Sequence, residues 1–309
     1  MSKYTSQFLD SPTAARLRVF TRNAGKNAKG IVQINHGMAE HAARYERFAE
    51  TLAAAGYHTI CHDHRGHGET TAPDAPLGQF ARNDGWRLVL NDVAFLIEHA
   101  RNTFPDLPVC LFGHSMGATV TASFILHHPK KADAAAVWNG SMTGFLPNLL
   151  KFLLKIERML KGSDVPSGWA DGLTFKAWNK EFKPVRTEFD WLSRDEAEVD
   201  KYVADPLCGF PVNVGLWLDL LEALDGLADE TRINTLENTM PINLLGGASD
   251  PCSTHGKAVT QFGDRLEKAG LNDVTRTILP DTRHESLNEI NRDETMTNFI
   301  AWLDGRFGR

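Results

Sequence analysis

The chemistry of this chain starts at a serine with a glycine two residues to either side, Gly113-His114-Ser115-Met116-Gly117. The apolar run Val109-Cys110-Leu111-Phe112 precedes it, and a small-residue helical stretch, 118–127, follows it. That context predicts a sharp strand-to-helix turn which lifts the hydroxyl clear of the backbone at the carboxyl edge of a sheet. Strand and helix pass so closely in such a turn that Gly113 and Gly117 are needed for what they lack. The same spacing also occurs in ordinary glycine turns, so the flanking elements carry the reading.

A serine hydroxyl is a poor nucleophile near neutral pH and needs a base, a carboxylate to orient that base, and donors for the oxyanion. In sheets with such a turn the chain order is serine, acid, histidine. Ile242-Asn243-Leu244-Leu245-Gly246-Gly247 reads as a buried strand, and Ala248-Ser249-Asp250-Pro251 turns just past its end. A second short strand, 275–280, runs into the loop Asp281-Thr282-Arg283-His284-Glu285, with a helix expected from near Ser286. Asp250 and His284 therefore both fall at carboxyl strand ends. A turn aspartate and a loop histidine are each common alone; their joint order and position favour the triad Ser115, Asp250 and His284. Asp281 is the rival acid in this loop. The oxyanion donors are expected to be the N–H of Met116 and that of Met38, which follows the strand at 30–35 with Gly37 allowing close approach. His36 precedes the serine and is expected to brace that turn rather than act as a base.

The block His36-Gly37-Met38-Ala39-Glu40-His41-Ala42-Ala43-Arg44-Tyr45 resembles the HGxxEHxxRY signature of monoacylglycerol lipases and bacterial lysophospholipases. These are α/β-hydrolases of the serine aminopeptidase-like S33 branch. The resemblance continues through Asp63-His64-Arg65-Gly66-His67-Gly68, the Ser115 turn, Gly247-Ala248-Ser249-Asp250-Pro251 and His284-Glu285-Ser286-Leu287-Asn288-Glu289. It covers about residues 30–290. Thr70 departs from the serine that relatives often carry there, outside the triad. The resemblance implies the same triad and oxyanion donors, with a monoacylglycerol or lysophospholipid as substrate. Residues 141–230 match only at Asp205-Pro206-Leu207.

Bulk properties narrow the field. The 309 residues are 42% hydrophobic and 23% charged, with a net charge of −6 and no basic block, which argues against nucleic acid as a partner. No run approaches the roughly 18 apolar residues of a membrane span, and the first residues lack the apolar core of a signal peptide. Cys61, Cys110, Cys208 and Cys252 have no metal or redox spacing. The expected location is the cytoplasm. Twelve histidines invite a metal reading, densest at His58, His62, His64 and His67 around Asp63. They lie on a strand and its turn, where alternate residues face opposite ways, without H-E-x-x-H spacing. The expectation is no metal and no cofactor.

Strand-like and helical patterns alternate over 13–139 and again over 241–304, the mark of a mostly parallel sheet covered by helices on both faces. The clearest helix runs over 86–104, with Val89, Val93, Leu96, Ala100 and Phe104 on one stripe and Asn83 or Asp84 to cap it. Between the strand at 134–138 and Ile242 the alternation stops. The fold expected is a single α/β-hydrolase domain, 1–140 and 231–309, with a helical lid, 141–230, inserted. Over 145–160 the polar Asn148, Lys151, Lys155 and Arg158 leave one narrow polar stripe and a wide apolar arc. That arc suits a helix buried on two sides, or one whose Phe145, Leu149 and Leu153 line an acyl pocket or touch a membrane surface transiently. Aromatic residues downstream, from Trp169 to Trp191, suit core and pocket wall equally.

The expected activity is hydrolysis of a carboxylic ester of a small amphiphilic substrate through an acyl-serine. An aminopeptidase, thioesterase or general carboxylesterase on the same fold remains open. An aminopeptidase wants an acid in the lid for a free amino group, for which Glu181, Glu188 and Asp190 are available. A binding protein without catalysis is disfavoured, because every catalytic element is present.

Overall fold

In a computed structural model of the chain, which describes residues 4–141 and 148–308, eight strands form one sheet. They are β1 (Thr5–Asp10), β2 (Arg16–Arg22), β3 (Gly30–Asn35), β4 (Tyr57–His62), β5 (Val109–His114), β6 (Ala134–Trp138), β7 (Ile242–Gly247) and β8 (Val274–Leu279). Their order is β1-β2-β4-β3-β5-β6-β7-β8. β1 and β2 pair antiparallel, as do β2 and β4, and every other pairing is parallel.

Helices α1 (Glu46–Ala54), α2 (Gly85–Thr103) and α3 (Met116–His127) return the chain between successive parallel strands. Between β6 and β7 come α4 (Asn148–Lys161), α5 (Gly168–Leu173), α6 (Phe175–Asn179), α7 (Glu196–Ala204), α8 (Val214–Leu227) and α9 (Glu230–Ile233). α10 (Lys257–Lys268) and α11 (Arg292–Phe307) follow β7 and β8, and a short 3-10 turn, Ala42–Tyr45, precedes α1. This is the expected α/β-hydrolase architecture.

The sheet is buried on both sides because its central strands are apolar at odd and even positions alike. Val32, Ile34, Cys110, Phe112 and Trp138 pack with Phe48 of α1 and Phe299 of α11. Their strand neighbours Ile31, Val109, Leu111 and Val137 pack with Val93 of α2, Val120 of α3 and Leu221 of α8. Strand geometry sends successive residues to opposite faces, so one apolar run feeds two cores. Phe48, Phe112, Trp138 and Phe299 meet with ring centroids 5.0–6.5 Å apart. Each such pair adds about 0.5–1.5 kcal/mol beyond its buried area.

Two local expectations give way to tertiary contacts. The α2 cap does not come from Asn83 or Asp84: Asp84 adopts φ 54° and makes no side-chain cap bond. Instead Asp219, from α8, accepts from the Trp86 N–H, and burial pushes that carboxyl up to about 7. The helix expected from Ser286 begins only at Arg292. The buried Glu289 carboxylate holds the intervening loop open by accepting from the N–H groups of Arg283 (2.9 Å) and Arg194 (3.1 Å).

In α4, Leu150 and Leu154 are buried, whereas Phe152, Met159 and Leu160 are 59–78% exposed. The apolar arc is thus covered on one side only. No helix among the described residues is long and apolar enough to cross a membrane.

Candidate active site

Ser115 sits between β5 and α3 with φ 57° and ψ −120°, a backbone conformation that non-glycine residues rarely adopt. The two glycines explain how the chain reaches it. A Cβ on Gly113 would lie 2.0 Å from the Gly117 carbonyl oxygen, and one on Gly117 would lie 2.0 Å from that of Asn35. Neither neighbour can move, because both are backbone. The turn ends with the Ser115 N–H donating to the Trp138 carbonyl at 2.9 Å.

The Ser115 hydroxyl lies 2.8 Å from Nε2 of His284, and Nδ1 of His284 lies 2.9 Å from Oδ1 of Asp250. The carboxylate fixes the tautomer: Nδ1 carries the proton and Nε2 is left to accept from the hydroxyl. Burial works to raise the Asp250 pKa, but the His284 charge and hydrogen bonds from His284, Ser253 and Asn139 outweigh it and lower it. Asp250 is also held by the Cys252 N–H at 3.0 Å and Nδ2 of Asn139 at 3.2 Å. Asp281 is exposed, at φ 53° in the turn after β8.

Neither the Met38 nor the Met116 N–H donates to a protein acceptor among the described residues. Met116 opens α3, so its N–H is one of the unpaired donors of a helix N-terminus. Met38 lies in the turn after β3. There Nδ1 of His36 donates to the Gly37 carbonyl at 2.7 Å, while Nε2 accepts from the His64 N–H at 2.9 Å. His36 thus braces the turn in its neutral form, and burial lowers its pKa.

A buried network behind the site had a visible motif in the sequence but no assigned role. Glu40 accepts from the Gly37 N–H and from the Tyr45 hydroxyl at 2.8 Å. Arg44 bridges Glu40 and Glu285, gripping the latter through two 2.7 Å bonds. His114 donates from Nε2 to the His284 carbonyl at 3.0 Å. Burial opposes charge on His114, but Glu40, Glu285 and that carbonyl raise its pKa. The insertion between β6 and β7 contributes as well, from the connection between α6 and α7: the Trp191 ring lies 4.6 Å from that of His284, and the Leu192 carbonyl accepts from the Glu285 N–H.

Ser115 opens into two cavities. The smaller, about 280 Å³, includes His284, Glu40, Glu285, Trp191 and Glu188 in its wall. The larger, about 640 Å³, is walled by Met116, Thr119, Phe175, Trp217, Leu220 and Leu224, among others. Leu153 is half-buried on α4 and lines neither cavity. Phe145 lies outside the described residues, as does the side chain of Leu149.

The histidine-rich strand end is buried. His62 and His64 have no hydrogen-bond partner on any ring nitrogen among the described residues, and burial pushes His62 down to about 3 and His67 to about 4. His58 stacks on Phe104 and accepts from the Ala24 N–H. Three potential metal donors approach elsewhere, in His41, Asp205 and Cys208, whose ligand atoms lie within 4.8 Å of one another. His41 and Asp205 already satisfy each other at 2.9 Å.

Comparison with known proteins fits this geometry. The family model described as serine aminopeptidase, S33, matches residues 26–291. The monoacylglycerol lipase of Mycolicibacterium smegmatis is 27% identical over 89% of this chain and 88% of that protein. The monoglyceride lipase of Mus musculus is 26% identical over 85% and 81%. A thermostable carboxyl esterase from Bacillus coagulans superposes with a TM-score of 0.87 at 24% identity, over 99% of each chain, which speaks to the fold. With a match running from before β3 to the start of α11, on a sheet that gathers its Ser, His and Asp at one edge, this chain belongs to the serine aminopeptidase S33 family of α/β-hydrolases.

Proposed function

We propose that this ester hydrolase acts through an acyl-serine formed on Ser115, on a monoacylglycerol or lysophospholipid. The observation that carries the reading is the continuous hydrogen-bonded line Ser115–His284–Asp250, with two unpaired N–H groups beside it and a cavity on either side. His284 takes the hydroxyl proton as Ser115 attacks the carbonyl carbon, and the Met38 and Met116 N–H groups receive the oxyanion. The tetrahedral intermediate collapses as His284 returns the proton to the leaving alcohol. Water then enters, loses its proton to His284 and releases the acid. Asp250 stays ionised throughout and stabilises the imidazolium.

The position of His284 supports one assignment of the two cavities. The leaving alcohol must lie within reach of His284, so it occupies the smaller cavity, and the acyl chain takes the larger, more aliphatic one. On this reading residues 141–230 act as a lid over a core of 1–140 and 231–309, and the wall of the acyl cavity comes from α5, α6 and α8. Names of the lipase relatives support a lipid ester as substrate. The exposed Phe152, Met159 and Leu160 would suit transient contact with a lipid surface.

An aminopeptidase holds a free amino group on the acyl side of the scissile bond, yet among the described residues no carboxylate lines the larger cavity. Glu188 lines the smaller one, Glu181 pairs with His255 at 3.4 Å, and Asp190 is used up on the N–H groups of Arg186 and Thr187. The ester reading is therefore the one tested: a fluorophosphonate probe should label the protein stoichiometrically and fail on Ser115→Ala. A panel of monoacylglycerols and lysophospholipids then fixes the head group. Absence of labelling on the native chain would defeat the acyl-serine.

A further inference from the structure

The acyl-side cavity has a polarity that a lipase acting on plain fatty-acid esters does not need. Its inner end is buried, with Met116 and Thr119 at 3% and 2% exposure. Its outer end is formed by exposed residues: Leu173 at the end of α5, Thr254 just before α10, and Lys257 and Gln261 in its first turns. The cavity therefore runs from the serine to solvent instead of closing in the core. Lys257 is the one charged residue among the described residues that line it. Among the described residues the Lys257 ammonium makes no ion pair and no side-chain hydrogen bond. Glu181 is engaged by His255, two residues before Lys257 in the chain.

We propose that Lys257 is a specificity determinant that receives the anionic far end of an ω-carboxylated acyl chain, so that half-esters of long-chain dicarboxylic acids are substrates. This rests on the reading above, in which Ser115 is the nucleophile and the larger cavity holds the acyl group. Chain length decides the outcome. A short ω-carboxylate would be stranded between Thr119, Leu220 and Leu224, stripped of water and without a partner, which is strongly unfavourable. A chain long enough to span the cavity delivers its carboxylate to the mouth, where it stays hydrated and meets an ammonium. At so exposed a position the attraction amounts to roughly two- to fivefold in binding and is screened by salt. Rejection of short ω-carboxylates thus turns into acceptance at one length, and only the accepted ones feel residue 257.

The test measures kcat/KM for glycerol monoesters of matched chain length ending in methyl or carboxylate, from four carbons upward. It is run with the native protein, Lys257→Gln and Lys257→Glu, at low and high salt. The quantity read is the carboxylate-to-methyl ratio at each length. The expected ratio is far below one for short chains and rises steeply once the chain spans the cavity. At that length it should fall about two- to fivefold in Lys257→Gln and up to about tenfold in Lys257→Glu, with the difference shrinking in high salt. A ratio that stays low at every length, or that neither substitution moves, overturns the inference while leaving the esterase reading intact. If the native chain hydrolyses no methyl-ended ester either, the ester reading itself falls and takes this inference with it.

Discussion

Each residue of the proposed triad carries a different expected consequence when it is removed. Ser115→Ala deletes one half-buried hydroxyl and changes no backbone contact. Its melting temperature should stay near the native value while kcat falls by about 10⁴-fold or more, as read by steady-state ester hydrolysis. Activity within tenfold of native would take Ser115 out of the mechanism. Asp250→Asn keeps the shape but offers His284 an amide that can favour the wrong tautomer, costing on the order of 10²–10⁴-fold. Asp281→Asn should cost nothing measurable, because that carboxylate is exposed in the turn after β8. The reverse ranking of these two variants would reassign the acid. Both histidine partners were legible in the sequence because each lies just past an apolar strand, and strand ends in such a sheet converge at one edge. Glu40, Arg44 and Glu285 were not assigned, since their meeting joins residues more than 240 positions apart.

At the scale of the element, the proposal that the inserted helices wall the acyl cavity makes them responsible for chain-length preference. An apolar cavity gains about 0.8 kcal/mol per buried methylene, so specificity should rise roughly three- to fourfold per CH₂ until the chain reaches the mouth. Leu173→Glu places a charge on the lining near that mouth, at a position already 58% exposed. It should lower kcat/KM for long acyl esters and spare butyryl ones, with little loss of stability. Leu153→Glu should behave otherwise. Leu153 is half-buried on α4 and lines neither cavity, so its substitution should lower the melting temperature and affect short and long esters alike. A chain-length-dependent effect of Leu153→Glu would return α4 to the pocket wall. Sequence periodicity identified α4 as an amphipathic helix with too wide an apolar arc. It had no means of telling which neighbour would cover that arc, and α8 covers only the side carrying Leu150 and Leu154.

For the whole molecule, the buried histidines set the acid limit. Burial lowers the pKa values of His36, His62, His64 and His67, with His62 at about 3 and His67 at about 4, against roughly 6.5 in an unfolded chain. The unfolded state therefore binds more protons between those values. Stability should be complete above about pH 6.5 and be lost progressively as pH falls toward 4. The depressed carboxylates Glu40 and Asp250 extend that loss further into acid, since their contribution is present above the ordinary carboxylate range and vanishes below it. Calorimetry from pH 8 to 4 should show the melting temperature level at first and then falling. In His62→Leu, which removes two unpartnered ring nitrogens, the fall between pH 6.5 and 4 should be shallower. A melting temperature constant from pH 7 to 5 would contradict this account.

The sequence by itself determined the parallel core, the elbow at Ser115 and the chain order of its partners. These follow from local rules: apolar runs of strand length, glycines where two backbones touch, and polar residues just past strand ends. It was silent on β1, whose residues are nearly all exposed and which is held by antiparallel pairing with β2 rather than by an apolar pattern. It misplaced the α2 cap and the start of α11 because Asp219 and Glu289 act across the fold, where no local window reaches. The two cavities and the unpaired Lys257 at the mouth of one of them exist only where α5, α6, α8 and α10 come together. A cavity is the space that packing leaves unfilled, so no spacing of residues along the chain encodes its shape.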